Sequence, residues 1–307
     1  MIGVIEPGAF TTVQDLGRPG SAAAGVPPSG AFDALSLRVA NELAGNPEGA
    51  AALEITMAGP LLAFETDAVV AIAGALIEHE LDGKPMPPAA ASLIRGGSRL
   101  RLGRTSGGLR SYLAVRGGFS VPKVLGSSST LVSAGFGGLL GRPLAGSDHL
   151  DVGASAHGPL RRLTRLPVDH DGVVRAVPGP QDDAFTPRGR DAFFSQPFAV
   201  SPRSDRAGVR LAGEPIELAG PADLDPEGLV TGAVQVPADG MPIVLGPDRP
   251  VTGGYVKIAT VITADLPKIA QARPGDTLRF VEVEVEQARA AWREQQDALG
   301  GAIEDIA

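Results

Sequence analysis

Short apolar runs, each cut off by a lone Gly or Pro, recur along nearly the whole chain. The 307 residues hold 41 Gly and 27 Pro, scattered singly rather than gathered into low-complexity blocks. Gly permits backbone shapes that other residues resist, and Pro fixes φ and removes a hydrogen-bond donor. With turn signals about every ten residues, the pattern favours an antiparallel barrel or sandwich. Candidate strands in the first half are residues 1–6, 53–55, 61–64, 68–73, 77–81, 98–102 and 109–115. Those in the second half are 173–177, 198–200, 209–211, 216–218, 233–236, 243–245, 256–261 and 277–285. Arg99 and Arg101 alternate with Leu100 and Leu102, as on a strand with one wet face.

Helices are few. Asp33 reads as the N-cap of a helix over 34–44, with Leu35, Val39 and Leu43 on one face and Gly45 at the stop. A short helix over 266–272 follows Asp265, and 286–299 is helical in pattern. Its apolar face carries Ala288, Ala291, Trp292, Gln295 and Leu299, with Trp292 expected as a packing anchor. The Arg-rich and Pro-containing stretch 157–170 reads as a linker. The expected fold is therefore mainly β with a few helices, in three parts: 1–160, 171–285 and a helical tail at 286–307. GSRLRL at 97–102 echoes GDTLRF at 275–280, which suggests two domains of like architecture.

Composition narrows the function. A net charge of −8 argues against a nucleic-acid surface, which needs clustered cations. The absence of Cys excludes disulfides, thiolate catalysis and Cys-ligated metal. The four His show no metal-ligand spacing, so no metal site is expected within the chain. No apolar run reaches the roughly 18 residues of a membrane helix, and the start lacks a signal-peptide pattern, so a cytoplasmic protein away from membranes is expected. Neither a P-loop nor a GxSxG elbow is present. Lys is scarce: only Lys84, Lys123, Lys257 and Lys268 occur.

Three stretches concentrate polar groups. The first, residues 10–33, sets Gln14, Asp15, Arg18 and Ser29 among closely spaced Gly and Pro, a rigid loop suited to a site or to self-capping turns. The second, SDRAGVR, holds Arg206 and Arg210, which either converge on an anion or lock a loop to a carboxylate. The third, DRPVTGGYVK, offers Thr252, Tyr255 and Lys257 around Gly253 and Gly254, whose missing side chains admit a ligand to the backbone. Its alternative is a hairpin turn with a solvated Lys. Gln181 and Gln235 are candidate amide readers.

TTVQDLGRPG with GVPPSGAFD resembles the start of the biotin-dependent carboxyltransferase family. AALEITMAGPLLAF, YLAVRGGF, LGSSSTL, GFGGLLGRPLAGSD, VPGPQDDAF, SDRAGVRLAG and PIVLGPDRPVTGGYVKIATVITADLPKIAQARPGDTLRF extend the resemblance in order from Ile5 to Phe280. That family spans the C-type subunit of bacterial 5-oxoprolinase, KipI antagonists, the chains once called allophanate hydrolase subunit 2, and half of the urea carboxylase carboxyltransferase domain. The resemblance implies two cyclophilin-like β-barrel domains. It implies a hydrolase subunit that uses ATP with Mg in a complex to open 5-oxoproline to glutamate. Two partners go with that reading, a KipI-like B-type subunit plus an A-type one. One alternative is a module moving CO2 from carboxybiotin to urea or a related amide. No Met-Lys-Met attachment signature is present, and Lys84 stands in Gly-Lys-Pro-Met, so biotin would ride on another protein. A second alternative is a non-catalytic antagonist that binds a KipI-like kinase inhibitor. Asp15, Arg206 and Lys257 are the expected catalytic residues. Gln14, Arg18, Ser29, Gln181, Arg210, Gln235, Thr252, Gly253, Gly254 and Tyr255 are expected to bind the small amide substrate.

Overall fold

The computed structural model describes residues 1–154, 157–165 and 171–306. The chain packs into two compact units. The first comprises Met1–Pro19, Ser29–Pro167 and Leu299–Ala307, and the second Gly20–Pro28 and Val168–Ala298. Both are built on barrel-like antiparallel sheets, so the protein is mainly β. Of the expected linker at 157–170, residues 166–170 lie outside the described residues. Leu160–Leu163 within it is a strand paired antiparallel with Ile303–Ile306.

In the first unit everything hangs on the long strand Arg99–Val115. Its first half pairs with Leu61–Phe64, its second with Ala52–Thr56, and its other edge runs along Ala68–Leu81. Phe10–Gln14 adds to Ala52–Thr56, and Ile2–Glu6 to Leu61–Phe64. Leu53, Ile55, Leu62, Phe64, Leu100 and Leu113 fill the interior. The sequence reading splits Ala68–Leu81 in two because Gly74 looks like a break. Gly74 instead sits at φ +99° in a bulged stretch and bends one continuous strand. A Cβ there would strike the Arg110 carbonyl oxygen, so the bend requires Gly. The likewise split 98–102 and 109–115 form one strand.

The helix Ala34–Ala44 lies where the sequence puts it. Asp33 accepts from Ser36 N at 2.9 Å, Gly45 closes the end at φ +80°, and Leu35, Leu37, Val39 and Leu43 are buried.

The second unit is a closed seven-stranded barrel. Around it run Val173–Pro178, Lys257–Val261, Ala233–Gln235, Ile243–Leu245, Gly208–Ala212, Pro197–Val200 and Thr277–Glu282. Closure comes from a parallel pairing of Val173–Ala176 with Arg279–Glu282. The Phe193, Phe198 and Phe280 rings pack inside, with Phe193 and Phe280 stacked at 4.7 Å. Phe193 comes from the helix Pro187–Ser195, which sequence reading missed although Thr186 caps Gly189 N and Pro187 stands at the favoured first position. The echo between GSRLRL and GDTLRF is physical: in each, a Gly at φ near +90° launches a strand with alternate residues buried.

Three expectations fail. Residues 216–218 form no strand, only the single bridge Phe185–Leu218. The Asp265 side chain does not cap its helix, because both its oxygens go to Arg175 at 2.7–3.0 Å. Trp292 is 45 % exposed rather than packed into the core, and Ala288 and Ala291 pack against Ile262 and Ala264. On the helix Val285–Gly300 the positions packed against Ile262 are taken by alanines, and Leu299 is buried near its end.

Asp33→Ala should lower the stability of the first unit by about 1 kcal/mol, the usual cost of a lost N-cap, read from a shift in the urea midpoint. An unchanged midpoint would show that the cap contributes nothing.

Candidate functional site

The polar residues of the first loop gather in the first unit around the run Ser127-Ser128-Ser129-Thr130. Asp15 is buried, and its Oδ1 accepts from Ser127 Oγ at 2.6 Å, Ser129 Oγ at 2.5 Å and Gly17 N at 2.7 Å. Its Oδ2 accepts from Ser128 N at 2.6 Å. Four donors on one carboxylate knit two loops distant in sequence. Gln14 donates to Thr12 Oγ1 and the Thr130 carbonyl, and Ser29 Oγ donates to the same carbonyl at 3.1 Å. Arg18 donates to the Ser129 and Val124 carbonyls and lies over the Phe136 ring. The structure thus brings Gln14, Asp15, Arg18 and Ser29 together, with most of their polar atoms committed to the protein itself.

Beside the helix Ala34–Ala44 lies a buried polar cluster that sequence reading missed. Glu54 Oε2 accepts from Tyr112 Oη at 2.7 Å and from Phe32 N at 2.8 Å, with Arg110 3.8 Å from Oε1. Burial first, then the Glu54 charge, holds the Tyr112 hydroxyl well above its ordinary value. The available signal was an acidic residue inside an otherwise apolar strand.

In the second unit, Lys257 and Gln235 are register partners on neighbouring barrel strands, and Glu227 faces Gly253 on a two-stranded ribbon. The ribbon joins Asp223–Gly228 to Thr252–Tyr255. Lys257 is buried, and its Nζ donates to Glu227 Oε1. Gln181 Nε2 donates to the same oxygen at 2.8 Å, while its Oε1 accepts from Lys257 N at 3.3 Å. Gln235 is buried and its Nε2 has no hydrogen-bond partner. A Cβ on Gly253 would stand 2.9 Å from that nitrogen, so the glycine is needed for the backbone to pass. Gly254 is similarly tight against the Leu224 carbonyl oxygen. Lys257, Gln181, Gln235, Glu227 and Gly253 therefore form one connected group. It combines a cation, a carboxylate and amide N–H groups, the inventory needed to read an N–C=O unit and move a proton.

The other nominated residues are placed differently. Arg206 is buried and its guanidinium is bidentate to Asp248, at 2.7 and 3.0 Å. That is the loop lock, and it ties SDRAGVR to the first residue of DRPVTGGYVK. Arg210 is exposed on its strand, beside Ser201, Asp239 and Met241. Thr252 and Tyr255 are exposed on the ribbon. Arg249, which sequence reading did not separate from its neighbours, is buried; one nitrogen donates to the Leu229 carbonyl at 2.9 Å. Among the described residues, no set of three His, Asp or Glu side chains stands ready to hold a metal ion.

The sequence matches the family described as carboxyltransferase domain, subdomain A and B, over residues 24–282. The chain belongs to this family. It is 40% identical to the C-type subunit of 5-oxoprolinase from Escherichia coli over 296 residues, 96% of each chain. It is 36% identical to the urea amidolyase of Lachancea kluyveri, covering 98% of this chain but 18% of that protein. The crystal structure of Kluyveromyces lactis urea carboxylase superposes with a TM-score of 0.91 at 33% identity, over 98% of this chain and 29% of that one. The carboxyltransferase family thus includes relatives that are enzyme components of two kinds. The two barrel-like sheets agree with the cyclophilin-like architecture implied by the resemblance.

Lys257 first, and then Gln181, holds the Glu227 carboxyl below its ordinary value of 4.5. A carboxylate with a depressed folded pKa contributes stability above its ordinary pKa and loses it as pH falls through the folded value. The contact should therefore persist at neutral pH and open only on the acid side of 4.5. A carbon-detected NMR titration should place the Glu227 midpoint below 4.5, rising toward it in Lys257→Met. Equal midpoints in both proteins would dismiss the pair.

Proposed function

We propose that this chain is a subunit of an ATP-dependent 5-oxoprolinase that opens 5-oxoproline to glutamate. It would act with two partners, a KipI-like B-type subunit plus an A-type one. The observation that carries this reading is the 40% identity to the C-type 5-oxoprolinase subunit of Escherichia coli, spread over 96% of both chains. The Lys257 group supports it chemically. The lactam presents one C=O and one N–H, and the group offers an ammonium, two carboxamides and a carboxylate.

ATP, bound with Mg in the assembled enzyme, would supply phosphoryl activation of the lactam oxygen. Lys257, as the buried ammonium, would hold the developing negative charge on that oxygen. Glu227 fixes the Lys257 ammonium and would accept a proton from the attacking water. Water would add to the activated carbonyl carbon, the C–N bond would break with the ring nitrogen taking up a proton to leave as the glutamate amine, and a second water would release inorganic phosphate from the acyl phosphate that remains. Gln181 would read the amide edge, and Gln235 would bind the substrate beside it. Arg206 would act through position, by holding Asp248 and the turn beyond it. Asp15, Gln14, Arg18 and Ser29 would set the loop of the first unit, and Thr252, Gly253, Gly254 and Tyr255 the ribbon beside Lys257.

A second reading is favoured by the likeness to urea carboxylase. Here CO2 passes from carboxybiotin, carried by another protein, to an amide nitrogen. The same ammonium and carboxamides would hold the carbonyl oxygen.

The test is reconstitution with the partner proteins, 5-oxoproline and ATP, following glutamate and phosphate. The isolated chain should turn over no ATP. Lys257→Ala should fold and lose at least about tenfold in rate, the scale of one charge-assisted contact. Robust ring opening by the isolated chain would defeat the obligate partnership, and full activity of Lys257→Ala would remove that residue from the chemistry.

Arg206→Ala should fail for a different reason. Removing one member of a buried pair strands its partner, at a cost of about 3–5 kcal/mol. Its loss should appear as a lowered melting temperature of the second unit, and an unshifted one would contradict the loop lock.

A further inference from the structure

We propose that Arg249 and Gln235 form a binding site for the carboxylate of the substrate, in the second unit between Leu229 and Gly253. The identity of that acid as 5-oxoproline rests on the reading given above.

Two buried arginines meet the turn that leads into the Gly253–Gly254 ribbon, Arg206 through Asp248 and Arg249 as the next residue, and only one has its charge answered by the protein. The fork of Arg206 is filled by Asp248. Arg249 is 8 % exposed, and its Nε and Nη1 have no hydrogen-bond partner. Those two nitrogens carry about three of the roughly five guanidinium N–H groups. Its remaining nitrogen meets only a neutral acceptor, the Leu229 carbonyl. Among the described residues no carboxylate opposes it, and burial weakens its hold on its proton. A guanidinium that is charged, buried and unanswered is costly, and proteins keep such a group where a ligand supplies the missing anion.

A second donor stands beside it. Gln235 is 6 % exposed, and its Nε2 is likewise without a partner. Leu229 links the two residues. Arg249 bonds to Leu229, and both the Leu229 side chain and Gln235 Nε2 lie within 3.0 Å of where a Gly253 Cβ would be. The buried polar atoms left without a partner in the two side chains, Arg249 Nε and Nη1 and Gln235 Nε2, are thus all donors and carry one formal positive charge, with Leu229 as an apolar neighbour. That suits a carboxylate, which offers only acceptors and one negative charge. Lys257 is the register partner of Gln235, so the amide-reading group begins one residue away. A substrate that carries a carboxylate next to its amide is matched by that order of donors.

The experiment measures binding of L-5-oxoproline, 2-pyrrolidinone and inorganic phosphate by calorimetry, to the full chain alone and in the reconstituted complex. 2-Pyrrolidinone has the same lactam ring without the carboxylate. Wild type should bind L-5-oxoproline at least about tenfold tighter than 2-pyrrolidinone or phosphate. Arg249→Met should lose that preference yet melt no lower than wild type, since a buried charge without a partner has been removed. Arg249→Lys should retain part of it, and Gln235→Leu should weaken it.

Any of four binding results overturns the proposal. These are no binding of L-5-oxoproline in either form, equal binding of 2-pyrrolidinone, preference for phosphate, or wild-type binding by Arg249→Met. A much lower melting temperature for Arg249→Met would also overturn it, by making the guanidinium a structural group. Turnover by the complex without Arg249-dependent binding leaves the oxoprolinase reading standing and removes only this site. Arg249-dependent binding of L-5-oxoproline without turnover does the reverse.

Discussion

One carboxylate fastens the first unit. Asp15 stands on the loop after the strand Phe10–Gln14, and the serines that close on it come more than a hundred residues later. Neither segment has regular structure to hold it. Three Oγ or amide donors from the serine run and one amide from its own loop take their place. Once Asp15 is set, the backbone of 14–18 is set, and Gln14, Arg18 and Ser29 are drawn to the carbonyls of the same serine loop. A loop of small and flexible residues thereby acquires the definition of a strand.

The second unit handles charge in the opposite way. Its barrel is sealed by aliphatic side chains and three phenylalanine rings, and the cations at its ribbon differ in what answers them. Arg206 has a complete local partner, which fits a structural group. Lys257 has Glu227, a carboxylate that is itself half exposed, and so remains available for exchange with a ligand. Arg249 has a carbonyl only. This gradation from satisfied to unsatisfied cation separates framework from binding surface more sharply than residue type does, since Arg206 and Arg249 are chemically identical.

Much of the architecture was legible because it depends on local rules. The helix after Asp33 obeys capping and period, and the alternation of Arg99–Leu102 obeys the strand pleat. What misled were residues with two uses. Gly74 serves equally as a stop or a bulge, and only the strand opposite decides. Asp265 looks like a cap until Arg175 arrives from ninety residues away. In the candidate site, the glycines and Lys257 were visible because their types are scarce or special. Arg249 was hidden among 23 arginines, since its distinction lies in what it lacks, and the partners of a side chain are tertiary facts.

The parallel closure of the second barrel has a consequence for how this protein is made. Val173–Pro178 emerges from the ribosome about a hundred residues before Thr277–Glu282, the strand that seals it. Until then the barrel has two bare edges. In the first unit only a separate two-stranded ribbon waits longer, because Leu160–Leu163 finds its partner only in Ile303–Ile306. Co-translational folding can therefore complete the ten-stranded sheet of the first unit early, whereas the barrel of the second stays open. The last thirty or so residues carry the closing strand of the second barrel and the partner of the first unit's ribbon, and a chain cut short before them would keep the first sheet but leave the second barrel with bare edges.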